Sequence, residues 1–245
     1  MQHPGEVWFL PPDARHGGDP KTRRHVLLTT CGDPGDVAIL AYASTQGTEA
    51  AFGAANVLLD PFVSAYGSRG RTGFEHPTYI YPSRLVSAVP ANLIQFRGRI
   101  IDEMAAIRAK LHEALGIGTG VANGQSRAAG SWRGRVAEFS DVFAGETGCS
   151  YGVVVTEPGY SNTQRYQTIV PLLDPEEFES DANDLIVLDQ PWVPRVNAAM
   201  HAAWLAVDMV QRVFHPTEIG RWTGATVDEG TMAELDAYLL NLFGL

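Results

Sequence analysis

"MAAIRAKLHEALG" at 104–116 and "MAELDAYLLNLFG" at 232–244 stand at a constant offset of 128 residues. Met104, Ile107, Leu111 and Leu115 fall on Met232, Leu235, Leu239 and Phe243. Spacings of three, four and four put each quartet on one face of an α-helix. Gly116 and Gly244 follow as C-terminal stop signals. Asp102 and Glu103 precede the first pattern, and Asp228 and Glu229 the second, where the helix dipole favours acids. The same helix twice, started and stopped alike, reads as an internal repeat.

The match extends upstream. "GEVWF" (5–9) resembles "GRVAEF" (134–139), and "HVLLTT" (25–30) aligns with "GVVVTE" (152–157) at offset 127. "VAILAYAST" (37–45) aligns with "TIVPLLDP" (168–175) at about 129. Short β-like runs separated by Gly, Pro and Asp turns, then one helix, predict a small twisted antiparallel barrel in each half. The expected fold is therefore mainly β (α+β), with repeat 1 at 1–116, a Gly/Ala/Ser-rich flexible linker at 117–131 and repeat 2 at 132–245. "WVPRVNAAMHAAW" (192–204) reads as a further helix.

Composition bounds the function. The chain has 245 residues and a net charge of −10. Residues 1–118 are neutral, and the whole acidic excess lies in 119–245. Bulk charge argues against a nucleic-acid binder, less so for a neutral half with local arginine clusters. No run reaches the roughly 18 apolar residues of a membrane span, and no secretory leader is read at the N-terminus, so a cytoplasmic protein is expected. Cys31 and Cys149 read as free thiols. The histidines and cysteines show no zinc spacing, and neither a nucleophile elbow nor a dinucleotide fingerprint is present, so no metal and no cofactor are expected.

"GEVWFLPP", then "RRHVLLTT", then "ILAYASTQ", then a closing helix resembles the MazF/PemK (Kid-like) toxins of type II toxin–antitoxin systems. The resemblance covers nearly all of both halves at low identity. It implies SH3-like β-barrels that dimerise and cleave single-stranded RNA without a metal. A tandem chain would then be a covalent pseudo-dimer, expected as a monomer, with an antitoxin-like protein as partner.

Residue by residue, Arg24 matches the strand-entry arginine, with His25 in place of the usual proline. Ser44 matches the turn hydroxyl, flanked by Thr45 and Gln46. His16 lies in a loop where some members place a histidine. The later acidic element is missing from "YPSR" (81–84) in the first half. In the second half Asp208 in "LAVDMVQRV" sits at that place, but Tyr151 or Gly152 replaces the arginine and Leu172 and Leu173 the hydroxyl.

The chemistry implied is attack by the RNA 2′-hydroxyl on the adjacent phosphorus. Arg24 suits a bidentate contact to the developing phosphorane, and Arg23 a second phosphate contact. Ser44 or Thr45 suits a non-bridging oxygen, and His16 proton transfer near neutrality. Arg69 and Arg71 in "GSRGRTG" (67–73) suit an RNA backbone. Each has a plainer reading. The Arg pair is also an edge-strand guard, Ser44 and Thr45 turn formers, Asp208 a backbone-turn acceptor, and "GSRGRTG" a hairpin tip. Two functions stay open: a toxin-like endoribonuclease with one site mainly in repeat 1, and a non-catalytic module docking a protein through its acidic half.

Overall fold

The computed structural model describes residues 1–11, 23–32, 37–45, 56–61, 72–88, 90–118, 132–139, 151–156, 166–173, 185–188, 203–206, 210–214 and 219–245. The chain divides into two compact units, Met1–Leu111 and His112–Leu245.

In the first unit, β1 (Glu6–Leu10), β2 (Arg23–Leu27), β3 (Ala38–Ser44), β4 (Val57–Leu59), β5 (Thr78–Ala88) and β6 (Gln95–Arg99) form one curled antiparallel sheet in the order β4-β5-β3-β2-β1-β6. Helix α1 (Met104–Leu115) follows. In the second, β7 (Arg135–Phe139), β8 (Tyr151–Val154), β9 (Tyr166–Leu173), β10 (Leu185–Leu188), β11 (Ala203–Ala206) and β13 (Ile219–Thr226) run in the order β10-β11-β9-β8-β7-β13, with β12 (Gln211–Phe214) also on β9. Helix α2 (Glu229–Phe243) follows. Strand for strand, the two orders are the same.

The hydrogen bonds that enter each sheet also recur. Gly5 N–H donates to the Leu27 carbonyl (2.8 Å), as Gly134 N–H does to that of Val154 (2.8 Å). Gly5 O accepts from Ile100 N–H (2.7 Å), and Gly134 O from Val227 N–H (2.9 Å). Both glycines have positive φ, 88° and 81°. A Cβ on Gly5 would meet the Ile100 oxygen at 2.2 Å, so only glycine lets the two strands close here. Thr29 Oγ1 accepts from Ile39 N–H (3.1 Å), and Thr156 Oγ1 from Thr168 N–H (2.6 Å), which locks the second hairpin of each sheet in register.

Both helices bury the face the spacing predicts. Met104, Ile107, Leu111 and Leu115 are buried, and so are Met232, Leu235, Leu239 and Phe243. Gly116 and Gly244 take the left-handed conformation at the helix ends. Helix α2 begins a turn earlier than the apolar pattern, because the Asp228 carboxylate accepts from Thr231 N–H (2.7 Å) and caps it there.

The helix expected over 192–204 is corrected at its end, where Ala203 and Trp204 belong to β11 and pair with Leu188 and Val187. The rest of that stretch lies outside the described residues. Alanine-rich composition favours a helix, but pairing on β9 and β10 overrides so weak a preference. Among the described residues no helix is long and apolar enough to cross a membrane.

Candidate nucleic-acid interface

The expected site residues fall into three groups. His16, Gln46, Arg69, Arg71 and Asp208 lie outside the described residues. Arg23 and Ser44 are half-buried at the ends of β2 and β3, and Thr45 is exposed just beyond. Arg24 is half-buried one residue further along β2.

Strand alternation separates these groups. His25 faces Tyr42 across β2 and β3. Side chains alternate along a strand. Arg23 therefore shares a face with His25, and Ser44 with Tyr42, while Arg24 points to the opposite face, beside its β1 partner Phe9.

On the Arg24 face a cationic corner forms around one aromatic ring. The guanidinium carbons of Arg24 and Arg97 lie 5.5 Å and 5.3 Å from the Phe9 ring centre. Arg24 also lies 6.0 Å from the Phe74 ring. Arg24 Nη2 donates to Glu75 Oε1 at 3.1 Å, and Arg97 Nη2 stands 3.7 Å from the same oxygen. Sequence reading missed Phe9, Phe74, Glu75 and Arg97. Arg97 comes to the corner through a bulge in the β1–β6 pairing between Val7 and Trp8, a long-range feature without a local sequence signal.

On the other face is an aromatic cluster. His25 is buried and meets the Tyr42 ring edge-on at 5.7 Å, with Nδ1 3.1 Å from the Arg23 carbonyl oxygen. Tyr42 and Tyr81 centroids are 6.1 Å apart, Tyr79 and Tyr81 6.3 Å, and the Arg84 guanidinium lies 4.9 Å from the Tyr42 ring. β5 makes this possible. Tyr81 pairs with Tyr42 and Leu85 with Ala41, so residues 82–84 bulge and turn Arg84 back onto Tyr42. Burial pushes the Tyr81 hydroxyl up to about 12, and the charges of Tyr42 and Tyr79 add to the rise against the opposing pull of Arg84.

The sign of that effect is testable. Above pH 10 an unfolded tyrosine loses its proton while Tyr81 in the folded chain keeps it until about pH 12. The folded state then binds more protons, so stability present below pH 10 falls as pH rises through this window. Urea midpoints between pH 9 and 12 should fall more steeply for the parent than for Tyr81→Phe. Parallel curves would contradict it.

Among the described residues of the second sheet, the positions that match Arg24 and His25 carry neither side chain. Ala137 pairs with Gly152 and Glu138 with Tyr151, as Trp8 pairs with His25 and Phe9 with Arg24. Tyr151 thus stands for Arg24 and Gly152 for His25. A Cβ on Gly152 would meet the Phe139 ring at 2.8 Å, so that ring occupies the space a side chain would need. Glu138 is taken up by Arg221, 2.7 Å away.

A comparison with solved structures finds one described as "Endoribonuclease in complex with its cognate antitoxin from Mycobacterial species". It is 13% identical, covering 48% of this chain and 97% of that chain with a TM-score of 0.33. A likeness of that size carries no argument about the site. No family model matches the chain, and no curated protein matches it. Among the described residues no group of three or more His, Cys, Asp or Glu is placed to hold a metal ion.

Proposed function

We propose that this chain is a toxin-like, metal-independent endoribonuclease for single-stranded RNA, built as a tandem duplication with one working site in its first half. The observation that supports it best is an asymmetry. Two sheets of the same strand order differ at matching positions, and among the described residues only the first carries two partly exposed guanidinium groups backed by one aromatic ring, Arg24 and Arg97 on Phe9.

Such a corner suits RNA chemistry. The 2′-oxygen attacks phosphorus, the P–O5′ bond breaks, and a 2′,3′-cyclic phosphate forms beside a free 5′-hydroxyl. Arg24 supplies charge-assisted donors that strengthen as the phosphorane gathers charge. Arg23 and Ser44 lie on the opposite face from Arg24, so with Thr45 they are proposed as contacts to a more distant part of the RNA. His16 is the proposed proton-transfer group, with Gln46, Arg69 and Arg71 as RNA contacts and Asp208 as an acid from the second half. The two halves act as an internal pseudo-dimer, and an antitoxin-like protein is the proposed partner.

Incubating the purified chain with single-stranded RNA in excess EDTA tests the reading. Discrete cleavage to fragments with 5′-hydroxyl ends is the expected result. Intact RNA under these conditions would overturn the nuclease reading and leave the non-catalytic docking module.

A further inference from the structure

We infer that Arg24 and Arg97 form a seat for a phosphate group, and that Glu75 occupies this seat when no substrate is bound. The seat stands on geometry alone; only the claim that RNA brings the phosphate rests on the nuclease reading above.

The seat is built from fixed parts. Both guanidinium groups lie against the Phe9 ring, at 5.5 Å and 5.3 Å. That contact favours the cations and limits their rotamers. The segment carrying Glu75 is held equally closely. Gly73 has φ 81°, and a Cβ there would meet the Arg97 Cβ at 2.9 Å and its carbonyl carbon at 3.0 Å. Phe74 is buried next to it. Glu75 follows with its side chain 67% exposed and still turns back to the arginines.

The match between the donors and this carboxylate is poor. Both arginines address the same atom, Glu75 Oε1, at 3.1 Å and 3.7 Å. Arg97 Nε is shut off from solvent and finds no acceptor among the described residues. The non-bridging oxygens of a phosphate are spread tetrahedrally and further apart than those of a carboxylate, so each can face a different guanidinium fork. A carboxylate meeting them through one oxygen is a weaker occupant, and an ion pair this exposed is readily exchanged. Glu75 thus screens the two arginines from each other and from stray anions, and yields to a phosphate group.

The same phosphate chemistry could come from an RNA phosphodiester or from a free phosphate, so the test has two arms. Binding of a 2′-O-methylated single-stranded RNA, which cannot be cleaved, and of inorganic phosphate is measured at low salt by calorimetry. The parent, Glu75→Gln and Glu75→Gln/Arg97→Met are compared, with circular dichroism confirming that each is folded. Glu75→Gln should bind the RNA about two- to fivefold more tightly, in line with removing one exposed ion pair. Arg97→Met should abolish the gain.

A gain with phosphate but none with RNA would keep the seat and reject RNA as its source. No gain with either probe would overturn the seat even if the chain cuts RNA. A gain that survives Arg97→Met would also overturn it, since the effect would then be general charge and not this pair of arginines.

Discussion

Replacing Arg133 by Met is expected to destabilise the second unit by about 3–5 kcal/mol, the usual consequence of stripping one partner from a buried ion pair. Arg133 is fully buried. Its Nη1 donates to the carbonyl oxygens of Leu115 and Val155, and its Nη2 to Asp236 Oδ1. Asp236 Oδ2 in turn accepts from Gly118 N–H at 2.9 Å. Methionine would leave a carboxylate and two carbonyl groups in a dry interior with fewer donors than they need. The double variant Arg133→Met/Asp236→Leu should recover a large share of the loss, because it removes the stranded charge. Urea denaturation checks both. A single variant within about 1 kcal/mol of the parent would show that water or rearrangement satisfies these groups instead.

The second large effect follows from the proposed nuclease activity. Arg24→Ala should lower the rate of RNA cleavage by about 10²–10³-fold, the range seen when one transition-state donor is removed. Arg24→Lys should recover little, since an ammonium cannot make the bidentate contact. Stability should hardly change, because the Arg24–Glu75 pair is solvent-exposed and worth about 1 kcal/mol or less. Arg23→Ala should weaken binding more than turnover. Single-turnover cleavage alongside thermal denaturation separates these outcomes. An Arg24→Ala chain that cuts RNA like its parent would remove Arg24 from the mechanism.

The framework was open to reading because its signals are local and occur twice. The helix faces, the closing glycines and the paired runs "HVLLTT" and "GVVVTE" all depend on neighbours in sequence, and the threonine each run shares, Thr29 or Thr156, makes the same bond in both sheets. The cationic corner was only half legible. Arg24 stands in front of an apolar strand, where it catches the eye. Its partner Glu75 is 51 residues away, and Arg97 arrives by a bulge on an edge strand, so neither could be assigned without the β1–β6 pairing. The same holds for Arg133. In "SWRGRV" nothing separates it from an exposed arginine, and only the fold brings Leu115, Val155 and Asp236 around it.

Helix α1 has one further consequence for any division of the chain. Its early turns bury Met104 and Ile107 with the first unit, while its final carbonyl, from Leu115, is a ligand of Arg133 in the second. A cut at either 111 or 116 would deprive one piece of something it needs: the first of a whole helix, or the second of an acceptor for its buried cation. Either half expressed alone is therefore expected to be less stable than the same residues in the intact chain.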